Sequence, residues 1–387
     1  MRIGIDATCW ANRRGYGRFA RELMGPLARL AARDEIVCFG DAPSLAAWPG
    51  VLPNVRRVEV PLKESPSTAA SSTSSRSPRD LLRLSAAVRR ERPDVFFFPT
   101  VYTWFPLPAG VPGVVTIHDT IPERYPLLTL PTRSARLFWW LKVRMAIRQC
   151  RIVVTVSEHA ARTIVEVLGV PRDRLRVTTE AAAPGYRPTT PAEHAVAAER
   201  AGIAPGVPWF AYVGGFNPHK RVDSILEAHA RLARRLTPPP HLVLVGARSD
   251  AFHGDARLEE IVDAAGTGPL VHWTGFLPDA DLVPLLGGAT ALLLPSEAEG
   301  FGLPAVEAAA CGTPVIATTE SPLPELLAGA GIFVAPGDVD AITAAMAALL
   351  DEPQRAAMSA MALERTSVMS WERSAEAVLS AIQDAAG

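Results

Sequence analysis

The sequence has neither a hydrophobic run long enough to cross a membrane nor a cysteine pattern typical of a metal site. No apolar stretch approaches the ~20 residues that a spanning helix needs. The four cysteines (Cys9, Cys38, Cys150, Cys311) are scattered and form no CxxC pair. We therefore predict small, buried thiols in a reducing compartment. Residues 1–6 begin a strand and do not resemble a signal peptide, which predicts a cytoplasmic protein.

The sequence also has no excess of positive or negative charge. Lys and Arg number 39, Asp and Glu number 40, and the net charge is −1, which gives no bulk electrostatic case for nucleic-acid binding. No triad of metal ligands is apparent in the sequence, so we predict no metal site. The 387 residues, 48% of them hydrophobic, predict a globular protein long enough for two domains.

The most informative stretch is 291–317, ALLLPSEAEGFGLPAVEAAACGTPVIA. Its apolar start predicts a buried strand, and its glycines predict a loop that can approach a ligand closely. Pro304 suits the first turn of a helix, and Gly312 suits the position just after its end. The pattern is therefore a strand, a glycine loop, a helix and a second strand.

Two carboxylates eight residues apart lie in this unit, Glu299 on the loop and Glu307 on the helix. Both can accept hydrogen bonds from the hydroxyl groups of a sugar. The backbone amides of 300–303, at a helix N-terminus, favour an anion such as phosphate. Alternatively, Glu299 is a solvated loop acid and Glu307 only complements the helix dipole.

Each half of the chain opens with a strand, a glycine-bearing loop and a helix, as in Rossmann-like units. In the first half these are Arg2–Asp6, the loop 12–18 with Gly15 and Gly17, and a helix from Phe19 to Arg33. Arg13, Arg14 and Arg18 can reach an anion there, or form a solvated basic turn.

In the second half the strand is Trp209–Val213, the loop is 214–221 and the helix starts at Val222. Lys220 lies just before that helix, where the ammonium and the helix dipole can act together on a diphosphate. We predict the boundary between two domains, 1–187 and 188–369, in the proline-rich linker 184–191.

His118 and Asp119 follow the predicted strand Val114–Ile117, and open α/β sheets bind ligands beyond the carboxyl ends of their strands. A lone histidine is more often structural. Ser157 follows another strand and is predicted to cap the next helix. Further strands are predicted at Glu35–Phe39, Val55–Val60, Asp94–Phe98, Ile152–Val156, His241–Gly246, Leu270–Thr274 and Ile332–Val334.

Two segments allow more than one interpretation. The Ser-rich stretch 64–78 is either an acceptor-covering loop or a surface loop without a role. Residues 132–151, with Trp139 next to Trp140, are basic and amphipathic. They predict either a helix packed on the sheet with solvated arginines or a helix lying on an anionic membrane surface.

The stretch SEAEGFGLPAVEAAACGTPVIA, with Glu-x7-Glu, resembles the retaining glycosyltransferases of family 4 (glycosyl transferases group 1). HDTIPERYP and Lys220 also match that family. The resemblance implies the GT-B fold: an α/β protein of two Rossmann-like domains facing across a cleft. It also implies that the C-terminal helix 370–387 packs back on the first domain.

The resemblance further implies the roles of single residues. His118, Glu299 and Lys220 would be catalytic. The donor would be bound by Gly15, Gly17, Gly215, Lys220, Arg221, Glu299, Gly300, Phe301, Gly302, Leu303 and Glu307, with Glu307 on the ribose. Tyr16, Arg18 and Asp119 would lie on the acceptor side. The family often carries an arginine where this chain has Gly214, and Arg221 or His219 can take its place.

The expected activity is metal-independent transfer of a hexose, of mannose or glucose type, from a nucleotide sugar with retention of configuration. The nucleotide sugar is a co-substrate, and no other cofactor is expected. The acceptor is a saccharide, a lipid-linked saccharide or a small molecule. Alternatives are a sugar-nucleotide epimerase, a phosphorylase on the same fold, and a non-catalytic nucleotide-sugar-binding protein.

Overall fold

The computed structural model describes residues 1–13, 15–63, 77–130, 132–247 and 254–387. The chain divides into two compact units. Unit 1 contains Met1–Glu180 and Ser370–Gly387, and unit 2 contains Ala181–Met369. The division therefore falls at 180/181, before the proline-rich linker in which the sequence predicted it. The C-terminal helix is part of unit 1.

Unit 1 is built on a seven-stranded, fully parallel sheet with the order β3-β2-β1-β4-β5-β6-β7. Its strands are β1 Arg2–Asp6, β2 Glu35–Gly40, β3 Val55–Glu59, β4 Val95–Phe98, β5 Gly113–Thr116, β6 Cys150–Thr155 and β7 Leu175–Val177. The central strands are continuous apolar runs, such as Val95–Phe98, because helices cover a parallel sheet on both faces.

The helices of unit 1 connect these strands. They are α1 Gly15–Leu30, α2 Ala42–Ala46, α3 Pro78–Glu91, α4 Ile121–Arg124, α5 Pro126–Thr129, α6 Arg133–Gln149 and α7 Glu158–Leu168. The Ser157 hydroxyl accepts a hydrogen bond of 3.0 Å from the Ala160 amide, so the predicted cap of α7 is present. The chain's last helix, Trp371–Ala386, packs against α1.

Unit 2 has a six-stranded, fully parallel sheet with the order β10-β9-β8-β11-β12-β13. Its strands are β8 Trp209–Val213, β9 His241–Val245, β10 Val271–Gly275, β11 Ala291–Leu294, β12 Val315–Thr318 and β13 Gly331–Val334. The helices are α8 Pro191–Arg200, α9 Val222–Ala233, α10 Gly254–Ala265, α11 Asp279–Gly287, α12 Leu303–Ala310, α13 Leu323–Leu326, α14 Val339–Ala348 and α15 Glu352–Ser367; with these numbers, Trp371–Ala386 is α16.

The structure corrects the predicted elements at two places in unit 1. Helix α1 begins at Gly15, so Gly15, Tyr16, Gly17 and Arg18 form its first turn instead of a loop. Strand β7 was not predicted, because three residues with an arginine in the middle carry little hydrophobic pattern. Residues 64–76 of the predicted acceptor loop (64–78) lie outside the part of the chain that the structure describes.

Candidate active site

The strand order of each sheet reverses at one point, and doubly wound sheets bind ligands beyond the carboxyl ends of the strands at that point. In unit 1 the neighbouring strands there are β1 and β4, and in unit 2 they are β8 and β11. Lys220 follows β8 and Glu299 follows β11. The two predicted residues therefore lie on the two loops that meet at the reversal in unit 2.

An ion pair joins these two loops. The Lys220 ammonium donates to Glu299 Oε1 at 2.8 Å, and the Ser296 hydroxyl donates to the same oxygen at 2.6 Å. The Lys220 side chain is 22% exposed and that of Glu299 is 10% exposed. A largely buried carboxylate is thus held by two donors on a single oxygen.

A second ion pair lies beside the first. Arg221 Nη1 donates to Glu297 Oε1 at 2.7 Å, and its Nε lies 3.4 Å from Asp223 Oδ1. Burial by itself lowers the pKa of Arg221, but Glu297 and Asp223 together raise that pKa above its usual value. Arg221 has a φ of 53° at the start of α9, a conformation that turns the chain from the Pro218–Lys220 turn into the helix.

The geometry explains the glycine at position 214, where the family often has an arginine. A Cβ on Gly214 would lie 2.7 Å from the Tyr212 hydroxyl, and that hydroxyl donates to the Gly215 carbonyl. A Cβ on Gly246 would lie 1.9 Å from the Gly214 carbonyl oxygen. Burial, together with the charge of Glu299, raises the pKa of Tyr212 well above its usual range. The loops after β8 and β9 are therefore packed too closely for a large side chain at 214.

Helix α12 begins at the glycine loop. Gly302 has a φ of 88° and immediately precedes the helix, where a Cβ would clash with Leu323 at 2.7 Å. Phe301 and Leu303 are buried, as is Glu307 within the helix. Burial, with the charge of Glu307, raises the pKa of the Cys311 thiol to about 12, so that thiol stays protonated. Gly312, with a φ of 82°, ends the helix as predicted.

In unit 1, His118 is held on three sides. Its Nε2 lies 3.0 Å from the Pro99 carbonyl oxygen and its Nδ1 lies 3.5 Å from Glu180 Oε1. The Phe19 ring packs edge-on at 5.0 Å between centroids. Because a carbonyl only accepts, Nε2 carries a proton. The imidazole is thus oriented by the segments that follow β4 and β7.

Three other predicted residues of unit 1, Asp119, Tyr16 and Gly17, have contacts within the unit. Asp119 Oδ1 accepts from the Ile121 amide at 2.8 Å, consistent with a role in orienting the backbone. Tyr16 is buried and stacks on Tyr102, with 5.2 Å between ring centroids. A Cβ on Gly17 would lie 2.0 Å from the Asn12 carbonyl oxygen. Gly17 therefore permits close approach of backbone to backbone, and its predicted contact with a donor stays a prediction.

A half-buried acid lies five residues after His118. Glu123 Oε1 accepts a 2.7 Å hydrogen bond from the Trp139 indole of α6. Burial raises the pKa of Glu123 to about 7; Asp119 also raises it, and the indole hydrogen bond lowers it. This contact fixes α6 to the short helix α4.

Sequence reasoning missed Glu180, Ser296 and Glu297. Ser296 and Glu297 stand within the motif that contains Glu299, so their nearness to it was a usable signal. Glu180 had no such signal, because it follows the unpredicted strand β7. Among the described residues, no three His, Cys, Asp or Glu side chains are grouped in a way that could hold a metal ion.

Two doubly wound α/β units, each with polar side chains beyond the carboxyl ends of its strands, match the architecture of solved GT-B glycosyltransferases. Two family models match the chain: "Glycosyltransferase Family 4" over residues 13–179 and "Glycosyl transferases group 1" over residues 197–365. Together they cover most of both units. The chain belongs to the family 4, or group 1, glycosyltransferases, as the sequence predicted, and is an enzyme of that class.

Individual proteins agree with this assignment. The chain is 29% identical over 265 residues to O-antigen chain mannosyltransferase B of Escherichia coli, covering 67% of each chain. It is 38% identical over 140 residues to the MMP alpha-(1->4)-mannosyltransferase of Mycolicibacterium hassiacum, which is 35% of this chain and 33% of that protein. The second match thus spans only a third of the relative's length.

Solved structures agree on the fold. WaaG, a glycosyltransferase involved in lipopolysaccharide biosynthesis, aligns with a TM-score of 0.74 at 17% identity over 99% of both chains. HepE of Anabaena, in complex with UDP and glucose, aligns with a TM-score of 0.71 at 17% identity over 99% of this chain and 98% of its own. At this identity the likeness establishes the fold alone.

Proposed function

We propose that the protein transfers a hexose from a nucleotide sugar to an acceptor hydroxyl, with retention of configuration and without a metal ion. The single observation that carries the proposal is the Lys220–Glu299 pair at the strand-order reversal of unit 2. A cation beside a helix start and an acid beside a glycine loop are the groups that a sugar diphosphate requires. The mannosyltransferases among the relatives favour mannose.

The donor is bound by unit 2. The Lys220 ammonium and the amides of Gly300–Leu303 meet the diphosphate, and Arg221 adds positive charge beside them. Because both bonds to the Glu299 carboxylate fall on Oε1, Oε2 is the oxygen offered to a sugar hydroxyl. Glu307 binds the ribose. HepE, which has been solved with UDP and glucose, supports a nucleotide-sugar donor.

The reaction follows from these charges. The bond from C1 of the sugar to the leaving phosphate oxygen breaks, and negative charge develops on the diphosphate. Preorganised donors stabilise this charge most, so Lys220 and the loop amides contribute in the transition state. The acceptor oxygen bonds to C1 on the same face and gives its proton to the leaving phosphate oxygen. No side chain serves as a nucleophile.

Unit 1 provides the acceptor side. His118, oriented by Pro99 and Glu180, positions the sugar that is transferred. Tyr16, Arg18 and Asp119 stand among the segments that follow β1 and β5. The acceptor is a saccharide, a lipid-linked saccharide or a small molecule. The proposal places the enzyme in the cytoplasm, with peripheral membrane contact through residues 132–151.

Thermal unfolding with a panel of nucleoside diphosphates and nucleotide sugars tests the donor site. A ligand at 100 times its Kd adds about 2.7 kcal/mol to the free energy of unfolding. We expect one nucleotide to raise the melting temperature of the wild type and not that of Glu307→Ala. Glu364→Ala removes an exposed glutamate of the same unit and serves as the control. No shift with any nucleotide would refute the proposal.

Turnover measurements beside the thermal panel separate the rival functions. A phosphorylase predicts a shift with orthophosphate and turnover that depends on it. An epimerase predicts turnover without an acceptor, and a binding protein predicts a nucleotide shift without release of nucleoside diphosphate. Retention itself is tested by NMR of the first product formed, whose anomeric configuration must match that of the donor.

A further inference from the structure

The outer face of α6 (Arg133–Gln149) exposes more large apolar side chains than a packed helix requires. Five of them are between 42% and 63% exposed: Leu137, Phe138, Trp140, Leu141 and Met145. Scattered single apolar residues are normal on a surface, whereas a contiguous group marks an interaction site. At 3.6 residues per turn these five fall, with the exposed arginines of α6, within about 160° of the helix circumference. We call this the α6 face.

Cations are interleaved with these apolar side chains. Arg133, Arg144 and Arg148 are exposed on the α6 face, and the Arg144 guanidinium lies 5.7 Å from the centre of the Trp140 ring. Residues 133–149 contain five Arg and Lys residues and no acid, in a chain whose net charge is −1. The face therefore combines local positive charge with apolar area.

The opposite side of α6 already fixes the helix to unit 1. Trp139, Val143 and Ala146 are buried, and the Trp139 indole donates to Glu123 at 2.7 Å. The helix packs on the sheet as the first sequence interpretation predicted, and it does so without the α6 face. The apolar side chains there are consequently available to a partner.

We propose that the α6 face docks on an anionic lipid surface. A helix with aromatic and aliphatic side chains between arginines lies in the interface plane, with the apolar groups at the boundary of the acyl chains and the cations among the phosphates. A second copy of the chain fits less well, because a symmetric contact would set identical arginines against each other. None of the helices described in the structure is both long and apolar enough to pass through a bilayer.

The docking helix is linked directly to a segment of the candidate active site. The Trp139–Glu123 hydrogen bond links α6 to α4, which begins three residues after His118. On the basis of the proposed function, docking on lipid favours a lipid-linked saccharide as acceptor over a free saccharide or a small molecule. The docking itself needs no nucleotide, so it can be tested whether or not the donor proposal holds.

The test is co-sedimentation of the full chain with vesicles. One set consists of equal parts phosphatidylcholine and phosphatidylglycerol, and the other of phosphatidylcholine alone. The first variant is the triple substitution R133Q/R144Q/R148Q, and the second is F138S/W140S. The control, R79Q/L82S on α3, removes an exposed arginine and an exposed leucine elsewhere on unit 1. Circular dichroism melts of all variants verify folding.

We expect binding to the anionic vesicles and not to the neutral ones. Each arginine near the surface contributes about fivefold to the affinity for anionic lipid. Loss of three arginines should therefore weaken the affinity for the anionic vesicles on the order of 100-fold. F138S/W140S should also lose binding, and the control should keep it. Absent binding, equal binding to neutral vesicles, or binding that both α6 variants retain would each overturn the proposal. So would a dimer in light scattering that these variants dissociate, since the occupant would then be a second copy.

Discussion

Replacing Lys220 with Met separates the structural from the catalytic role of the Lys220–Glu299 pair. The substitution keeps an unbranched side chain, shorter than that of lysine by the terminal amino group, and removes its charge. Glu299 then keeps the 2.6 Å hydrogen bond from Ser296 and loses the 2.8 Å bond from the ammonium. We therefore expect unit 2 to be less stable and the reaction to be slower, for different reasons.

The size of each effect follows from burial and charge. Removing one partner of a fully buried ion pair costs 3–5 kcal/mol. Lys220 is 22% exposed and the Ser296 bond remains, so we expect a loss of about 2 kcal/mol in the free energy of unfolding. Loss of a preorganised cation costs about 2–4 kcal/mol in the transition state, which is roughly 30- to 1,000-fold in kcat/KM.

The double variant K220M/E299Q distinguishes the two effects. The neutral amide needs no cation, so we expect stability to return to within about 1 kcal/mol of the wild type while activity stays low. Urea unfolding measures the first quantity, and release of nucleoside diphosphate from the donor measures the second. R231M, which breaks the exposed Arg231–Asp340 pair, controls for loss of an ordinary surface charge.

Two results would refute this reasoning. K220M with wild-type kcat/KM would show that the ammonium does not act on the diphosphate. Recovery of activity together with stability in the double variant would show that Lys220 only neutralises Glu299.

Three further predictions concern unit 1. Glu180→Gln should lower kcat about tenfold without changing the donor KM, because it loosens the orientation of His118; an unchanged kcat would contradict this. The pKa of Glu123 is about 7 in the folded protein, against 4.5 for an ordinary glutamate. Between these two pH values the folded protein binds one more proton than the unfolded chain, so the free energy of unfolding falls as the pH rises from 4.5 to 7. Glu123→Gln should therefore match the wild type below pH 4.5 and exceed its free energy of unfolding by about 3 kcal/mol above pH 7 in urea unfolding. Gly17→Ala should destabilise by about 1–3 kcal/mol through its backbone clash, whereas Gly15→Ala, with open space around it, should be neutral or slightly stabilising in thermal melts.

Much of the fold could be predicted from local pattern. The apolar runs became strands with ends displaced by no more than two residues, as at Ala291–Leu294 and Trp209–Val213, because burial between two helical layers demands continuous hydrophobicity. Gly312 and Ser157 ended and began helices as predicted, because their backbone and side-chain chemistry act within one turn.

The start of α1 shows where local pattern failed. Gly15 and Gly17, separated by one residue, suggest a loop, since glycine weakens helices. In the structure Gly17 lies in the first helical turn because the Asn12 carbonyl oxygen occupies the space a Cβ would fill. That contact forms only when the preceding loop folds back on the helix, and so the sequence could not reveal it.

The sequence by itself determined the family, the strand–loop–helix units and the residue types of the candidate site, because each of these depends on neighbours within a few positions. Only the tertiary structure decided which loops meet. Lys220 and Glu299 stand 79 residues apart and come together because β8 pairs with β11. Glu180 reaches His118 because β7 closes the edge of the sheet beside β6. Such pairings depend on parallel hydrogen bonding between distant segments, which no local pattern encodes.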